Sequence, residues 1–424
     1  MKTLLPILFV FTIFTFAFSQ NIQRCATDEL FQQQLESNPS LERNAQEIEN
    51  FTKNWIEQNE FQANSRTGEI ITIPVVVHVV YKYEEENISD LIIQSQIEVI
   101  NEDFRMLNSS VVAIPDEFKN SVADTEIEFC LASLDPNGLP TTGITRTMTS
   151  IDNIGNILEN KVNGTPRLFY DLLEGKNAWD TKNYLNIYVA KIGDGILGIT
   201  SSLPYSIDVP EEDGIVIDYE YFGNNCSSNP SSPYNLGRTT THEIGHYLNL
   251  HHLWKGGCGD ENGDFVEDTP EQEDSHAGCP SYPQKSCDKS NMFMNFMDYT
   301  DDICMSMFSE GQKLRMLATL DGPRKGLKES IGCAWLQPEQ PFGEDAITLY
   351  PNPAKGCIHI DFDATIEGNV IVELKDAMGK LIFRDIESAR SFRSIDAASL
   401  ANGIYFVSFE AGQRIITKKV LVAN

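Results

Sequence analysis

One eleven-residue window, His242–His252, constrains this chain more than any other stretch. It reads His-Glu-Ile-Gly-His-Tyr-Leu-Asn-Leu-His-His and contains four of the seven histidines in the 424 residues. His242 and His246 are four residues apart, so on a helix both imidazoles project from one face and can bind one metal ion. Glu243 follows the first of these histidines, where it can take a proton from a metal-bound water.

A third metal ligand, His252, requires the chain to change direction after the helix. A straight helix would carry residue 252 past the metal, so we expect a bend near Asn249 that returns His252 from a loop. Asn is the non-glycine residue that best tolerates the left-handed conformation such a stop needs. Three neutral histidines with one open position are typical of a catalytic zinc site. The alternative is a helix that carries surface histidines.

The composition and the first residues limit the class of protein. The length suggests two or three domains, and the net charge of −30 argues against a nucleic-acid partner. Residues 1–19 have the features of a secretory signal: Lys2, the apolar run Leu4–Phe18 and a small-x-small end. No later segment is apolar enough to span a membrane. We therefore expect a soluble exported protein, whose nine cysteines favour disulfides.

The segment 20–66, here called the pro-segment, is rich in Gln, Asn and Glu. It predicts one helix around Leu41–Asn59 and no strand. Cys25 lies more than a hundred residues from every other cysteine, and its thiolate could fill the open zinc position until the pro-segment is removed. The alternative is a free or disulfide-bonded cysteine without that role. Arg66, in a polar loop-like stretch, marks a plausible processing point.

The region 67–336 predicts an α/β (α+β) domain with a mixed twisted sheet and an active-site helix. The predicted strands are Ile70–Tyr83, Thr125–Leu134, Asn183–Ala190, Ile196–Ser202 and Gly214–Asp218. The predicted helices begin at Ser89-Asp90, Thr239 and Ser309 and end near Arg105, Leu250 and Leu320. We expect Ile196–Ser202 to be an edge strand that can pair with an extended peptide, and His78 to be a core residue.

An acidic, cysteine-flanked stretch follows the histidine window. Acidic residues crowd between Asp260 and Asp274, which favours a calcium site that stiffens the loop; the alternative is a solvated acidic loop. The four cysteines Cys258, Cys279, Cys287 and Cys304 favour two disulfides, and their spacing leaves three connectivities open. In Asn295–Tyr299, a turn centred on Met297 could form an apolar floor beneath the metal, and Tyr299 could hydrogen-bond the developing oxyanion.

After a Pro-rich linker, 337–343, residues 344–424 predict a small all-β sandwich of short strands separated by turn residues. Cys357 and His359 are expected to be packing residues there. This tail resembles the C-terminal sorting domain of type IX secretion, through Leu349–Ala354, Gly379-Lys380 and Leu400–Tyr405. The alternative is a carbohydrate- or protein-binding module.

The histidine window, together with Met297 in its turn, resembles the metzincin clan of zinc endopeptidases. Within the clan the chain is most similar to the pappalysin family and its cytophagalysin- and ulilysin-like members, over roughly residues 22–335. Supporting stretches are Gln96–Phe104, Gly257-Cys258, Asp268–Pro270 and Asn295–Tyr299. The family usually has Gly where this chain has Asn249.

The resemblance implies a role for each matching residue. It makes His242, His246 and His252 the zinc ligands, Glu243 the general base and acid, Met297 the floor and Tyr299 the oxyanion partner. It implies calcium ligands at Asp264, Thr269 and Glu271, and a zinc-binding cysteine switch at Arg24-Cys25. It also implies an Asp302 pocket that selects Arg or Lys just after the scissile bond, self-processing at Ser65-Arg66, and the disulfides Cys258–Cys287 and Cys279–Cys304.

The sequence therefore predicts a secreted or cell-surface zinc endopeptidase for protein and peptide substrates, made as a latent monomeric zymogen. The predicted order along the chain is a signal peptide (1–19), the pro-segment (20–66), the catalytic domain (67–336), the linker (337–343) and a sorting domain that engages the secretion machinery (344–424). The sequence leaves two alternative functions open. One is a zinc-binding adhesive protein without turnover, and the other is a zinc hydrolase for a non-peptide substrate.

Overall fold

The computed structural model describes residues 22–63, 70–205, 207, 209–224, 232–260, 263–333, 347–362, 369–388, 393–411 and 414–424. The predicted signal peptide, the processing point at Arg66 and the linker lie outside these residues. Separate hydrophobic cores form in the region before residue 333 and in the tail. The domain boundaries drawn from the sequence stay predictions.

The region before residue 220 is built around one mixed sheet. Its strands are β1 (Gln23–Cys25), β2 (Ile71–Tyr81), β3 (Ile127–Leu131), β4 (Ile144–Met148), β7 (Leu185–Ala190), β8 (Ile196–Thr200) and β9 (Ile215–Asp218). The strands β5 (Lys161–Val162) and β6 (Thr165–Pro166) form a separate small hairpin. The sheet order is β1-β8-β9-β7-β2-β3, and β4 also pairs with β2. Every pair in it is parallel except β8 with β9. This confirms the predicted mixed α/β sheet.

The long strand β2 is buried from Ile73 to Val80, as its nearly continuous apolar sequence predicts for a strand covered on both faces. His78 lies in this strand with no exposed surface, which confirms that it is a core residue. Its ring nitrogens contact Thr145 Oγ1 at 2.7 Å and Asn186 Oδ1 at 3.0 Å, so the buried imidazole is fully hydrogen-bonded.

The described helices lie before, within and after the histidine window along the chain. They are α1 (Thr27–Ser37), α2 (Leu41–Ala63), α3 (Asp90–Phe104), α4 (Arg238–Tyr247), α5 (Glu310–Asp321) and α6 (Lys325–Glu329). Buried Gln96 of α3 fixes the start of α4: its Nε2 donates to the carbonyl of Gly237 at 3.0 Å, and its Oε1 accepts from the hydroxyl of Thr240 at 2.8 Å. The helix that carries the histidines is therefore tied to its neighbour by a buried amide.

The prediction for the pro-segment was wrong in two respects, because it contains the strand β1 and a second helix, α1. Three residues are too few to show alternation, and β1 exists because it pairs with the sheet edge at β8. Within α1 only Thr27 and Leu30 are buried, so the sequence lacks the apolar period that signals a helix.

The tail is all-β, as predicted. A short hairpin of β10 (Lys285–Ser286) and β11 (Lys289–Ser290) precedes its strands β12 (Ile347–Lys355), β13 (Cys357–Phe362), β14 (Asn369–Asp376), β15 (Leu381–Ser388), β16 (Arg393–Asp396), β17 (Gly403–Ala411) and β18 (Arg414–Val422). The tail strands run in the order β15-β14-β17-β18-β12-β13-β16. Within the described part of the chain, every helix is too short or too polar to cross a membrane.

Candidate active site

The three predicted metal ligands converge. The Nε2 atoms of His242 and His246 are 3.2 Å apart, those of His242 and His252 3.2 Å, and those of His246 and His252 3.0 Å. Tetrahedral zinc with Zn–N bonds of about 2.0–2.1 Å requires nitrogens about 3.3 Å apart. The three side chains are buried, and their donor atoms fit one zinc ion.

A hydrogen bond at the opposite ring nitrogen orients each imidazole. The partners of Nδ1 are the carbonyl of Phe296 for His242 (2.7 Å), the carbonyl of Leu250 for His246 (2.9 Å) and Oδ2 of Asp28 for His252 (2.8 Å). Such bonds leave Nε2 free to bind a metal. Burial, together with the neighbouring histidines, lowers the pKa of His242 well below its ordinary value and that of His246 to about 3. Neutral imidazoles are the form that binds zinc.

The chain turns back at Asn249, as the sequence predicts. Asn249 has φ +73°, and α4 ends at Tyr247 rather than at Leu250. The amide of Asn249 donates to the carbonyl of His246, and the amide of Leu250 donates to the carbonyl of Gly245. These two bonds form a Schellman motif around a left-handed residue, which ends the helix earlier than predicted and brings His252 back toward the other ligands.

Cys25 lies at the remaining corner of the site. It is a buried free thiol, and its Sγ and the three imidazole nitrogens all lie within 4.8 Å of one another. Strand β1 delivers it, because β1 pairs in parallel with the edge strand β8, with Cys25 opposite Gly198. The edge that we expected to receive an extended peptide is therefore occupied by the pro-segment.

Glu243 is buried beside the histidines and is held by two threonines. Its Oε2 accepts hydrogen bonds from Oγ1 of Thr27 at 2.9 Å and of Thr200 at 2.7 Å, while Oε1 has no hydrogen-bond partner among the described residues. Burial raises the pKa of this carboxyl, and the bond from Thr200 opposes the rise. A raised pKa suits a group that must accept and then release a proton. Neither threonine was predicted, because only the fold brings them near Glu243.

Met297 packs against the helix that carries the first two histidines, and Tyr299 lies beside His252. Met297 is fully buried, and a Cβ added to Gly245 would be 2.4 Å from its sulfur, so the helix and the methionine turn pack in direct contact. The hydroxyl of Tyr299 is 3.2 Å from Nε2 of His252 and donates to the carbonyl of Cys25 at 3.4 Å. Burial, reinforced by Cys25, raises the pKa of Tyr299, so its phenol keeps the proton it would donate.

Asp302 is fully buried and binds the residue before Cys25. Oδ1 of Asp302 accepts a hydrogen bond of 2.7 Å from the guanidinium of Arg24, whose side chain is only 2% exposed. Oδ2 of Asp302 accepts from the amide of Leu236 at 3.0 Å. The aromatic ring of Tyr234 lies beside the guanidinium, with its centroid 5.0 Å away. A carboxylate and a ring thus form a pocket that holds an arginine.

The structure brings the three predicted calcium ligands of the acidic loop only partly together. Oδ2 of Asp264 accepts a hydrogen bond from Oγ1 of Thr269 at 2.8 Å. Asp264, Thr269 and Glu271 all line one cavity of about 730 Å³. Among the described residues, the close groupings of three or more metal-binding side chains do not include Asp264 or Glu271. The calcium site therefore stays a prediction.

Three disulfides have both of their cysteines among the described residues. The disulfides are Cys130–Cys333, Cys258–Cys287 and Cys279–Cys304. The last two are the pairs that the resemblance implied. Cys357 is also disulfide-bonded and, as expected, buried.

Comparison with known proteins agrees with this site. The family described as pregnancy-associated plasma protein-A, a peptidase family of type M43, matches residues 171–321, and the secretion system C-terminal sorting domain matches residues 348–423. An extracellular metalloprotease of Arthroderma gypseum is 30% identical over 279 residues, which cover 61% of this chain and 78% of the relative. One of Verticillium alfalfae is 37% identical over 134 residues, 31% of this chain and only 48% of the relative.

Two solved structures from Tannerella forsythia resemble the fold. A mutant of promirolysin is 38% identical with a TM-score of 0.63 and covers 74% of this chain and 100% of its own. Mature mirolysin in complex with a cleaved peptide is 42% identical with a TM-score of 0.58 and covers 64% of this chain and 100% of its own. The chain belongs to the pappalysin family of metzincin zinc metalloproteases and carries a C-terminal domain of the type IX sorting class.

Proposed function

We propose that this protein is an exported zinc endopeptidase, made as a latent zymogen, that cleaves proteins before Arg or Lys. The observation that carries the proposal is that three imidazoles and a thiol lie within 4.8 Å of one another, with the buried carboxyl of Glu243 next to the first histidine in the chain. A thiol supplied by a removable segment suits a site that must be kept inactive until export is complete.

Each residue has a chemical task once the pro-segment is gone. His242, His246 and His252 would hold the zinc ion, which would supply Lewis-acid chemistry for polarising a carbonyl and activating water. Glu243 accepts the proton of the attacking water and passes it to the leaving amine. The phenol of Tyr299 donates a hydrogen bond to the oxyanion.

The pro-segment blocks every part of this arrangement. Cys25 fills the fourth ligand position, Thr27 caps the carboxylate of Glu243, and β1 covers the edge strand β8. A substrate that lies extended along β8 needs the same main-chain groups. We therefore infer that the pro-segment must leave before a substrate binds, and Arg66 is the proposed processing point.

The preference for basic residues is supported by Arg24. Its guanidinium reaches the buried carboxylate of Asp302 from the residue next to the zinc-facing Cys25. A substrate Arg or Lys beside the scissile bond could make the same ion pair, since a buried carboxylate strongly favours a paired cation.

Further parts of the proposal concern calcium, export and assembly. Asp264, Thr269 and Glu271 are proposed to hold a structural calcium ion, and the tail is proposed to direct the protein across the outer membrane by the type IX route, as a monomer. Protein and peptide substrates and the secretion machinery are its proposed partners.

The test is peptide cleavage by the processed protein and by Glu243→Gln. We expect the variant to bind zinc normally and to lose activity by at least about 100-fold, because a general base contributes about 10²–10⁴-fold. Zinc binding without peptide cleavage in the wild type would favour the adhesive role. Cleavage confined to non-peptide esters or amides would favour the other hydrolase.

A further inference from the structure

A second contact ties the pro-segment to the catalytic region, far along the chain from Cys25. Glu49 of α2 receives two hydrogen bonds from the guanidinium of Arg315 in α5, 2.9 Å from Nη1 and 2.6 Å from Nη2. The side chain of Arg315 is 2% exposed and that of Glu49 is 13% exposed. Two parallel charge-assisted bonds of this kind are the strongest hydrogen-bonding arrangement that a carboxylate makes with a side chain.

Other cationic or protonatable groups surround the same carboxylate. Nε2 of His251 lies 3.6 Å from Oε1 of Glu49, and Nζ of Lys255 lies 3.1 Å from the His251 ring nitrogen. The ring of Phe265 supports the cluster, with its centroid 4.6 Å from the Lys255 ammonium and 5.5 Å from the Arg315 guanidinium. Only Glu49 comes from the pro-segment. The groups that surround it all belong to the region after residue 67, so they stay in the protein when the pro-segment leaves.

The site is joined to the zinc centre through the bend. Nε and Nη2 of Arg315 also donate to the carbonyl of Asn249, at 3.2 and 3.1 Å. Asn249 is the left-handed residue that returns His252 to the metal. One guanidinium therefore contacts both the pro-segment and the residue on which the third ligand depends.

We propose that Arg315, His251 and Lys255 form a carboxylate-binding site beside the zinc centre, and that Glu49 occupies it as a second anchor of latency. This rests on the proposed function. Cutting the chain near Arg66 removes neither Cys25 nor Glu49 from its partner, so the excised pro-segment stays bound until both anchors release. In the processed enzyme the vacated site binds the carboxylate of that same helix again, which makes the free pro-segment an inhibitor in trans.

The surroundings of Glu49 explain why α2 is the occupant. Trp55 of the same helix donates from Nε1 to Asp321 at 3.1 Å, and Phe51 packs against Gly322, where an added Cβ would be 2.3 Å from its ring. These two contacts hold α2 against α5 and the residue that follows it, and a largely buried charge pair such as Glu49–Arg315 is costly to separate.

The first experiment does not depend on activity. In the full-length chain with Glu243→Gln, which cannot process itself, hydrogen exchange is measured for Glu49→Gln and for the control Glu47→Gln, whose side chain on the same helix is 71% exposed. We expect amides of α2 to exchange at least about tenfold faster in Glu49→Gln only, because the charge-assisted pair is lost. Equal exchange in the two variants would overturn the proposal.

The second experiment tests rebinding. A synthetic peptide of residues 41–63 is added to the processed protein, and its Kd is compared with that of the same peptide carrying Glu49→Gln or Glu47→Gln. We expect the Glu49→Gln peptide alone to bind about tenfold or more weakly. Identical affinities would refute the carboxylate site, whereas inactive but peptide-binding protein would leave the site in place and contradict the endopeptidase assignment.

Discussion

Arg24 donates a 2.7 Å hydrogen bond to the buried carboxylate of Asp302, and the next residue, Cys25, lies beside the three predicted zinc ligands. The two neighbours thus occupy the proposed specificity pocket and the proposed metal site together. Removing one contact at a time should therefore separate the role of Arg24 at Asp302 from the role of Cys25 at the histidines.

The first prediction concerns Asp302. In Asp302→Asn the ratio of kcat/KM for an Arg substrate to that for its norleucine analogue should fall by about 30-fold or more, since losing one partner of a buried charge pair costs about 2–5 kcal/mol. The ratio separates specificity from folding, because Asp302 also holds the amide of Leu236. The half-buried neighbour, Asp301→Asn, is the control; an unchanged ratio in Asp302→Asn would remove that residue from the pocket.

The second prediction concerns the contact between Gly245 and Met297. Gly245→Ala should destabilise the catalytic region by about 1–3 kcal/mol, as overpacking does, because its Cβ would stand 2.4 Å from the Met297 sulfur. Thermal unfolding measures the loss. The same substitution should cost less when Met297 is already Ala, and Gly403→Ala, where a Cβ meets nothing within 4 Å, should be nearly neutral. Equal losses at positions 245 and 403 would contradict the packing argument.

The third prediction decides between a calcium site and a solvated acidic loop. Adding Ca²⁺ at about 100 times its Kd should raise the wild-type unfolding temperature by roughly 5 °C or more, since ligand binding of that strength stabilises by about 2.7 kcal/mol. Asp264→Asn should show little of this shift, and Mg²⁺ at the same concentration serves as the ionic control. No shift in the wild type, or the same shift in the variant, supports the solvated loop.

The fourth prediction is a pH dependence from His78. Burial lowers its pKa from 6.5 to about 4, and its bond to Asn186 only partly opposes this. The unfolded chain therefore takes up the proton first. The contribution of the neutral imidazole is complete above pH 6.5 and is lost as the pH falls to about 4, at up to about 1.4 kcal/mol per pH unit.

Comparison with His78→Gln isolates the contribution of His78 to the free energy of unfolding, because acid loss of zinc affects both proteins alike. The difference in unfolding temperature between wild type and variant should shrink as the pH falls through this window. Curves that stay parallel from pH 7 to pH 4 would show that His78 is not the group responsible.

The sequence was sufficient where the chemistry is local. The spacing of His242 and His246 and the tolerance of Asn249 for a left-handed conformation predicted the convergence of the histidines and the bend, and the apolar run of β2 predicted a buried strand. These features depend on neighbours along the chain, whose geometry elementary rules describe.

The rest depends on contacts between distant segments. Strand β1 forms only because an edge is available at β8, and Thr27 reaches Glu243 from helix α1 whereas Thr200 reaches it from strand β8. The Glu49–Arg315 pair joins residues 266 positions apart. No pattern within one segment contains such information, which is why the sequence predicted the cluster of histidines but not the groups that hold and cover it.

The central claim is that Cys25 and three histidines bind one zinc ion in the latent chain. X-ray absorption at the zinc edge of the full-length Glu243→Gln protein tests it directly. We predict three nitrogen ligands at about 2.0–2.1 Å and one sulfur at about 2.3 Å, with the sulfur replaced by oxygen in a Cys25→Ala version. A zinc shell without sulfur in the first protein, or no bound zinc at all, would contradict the account.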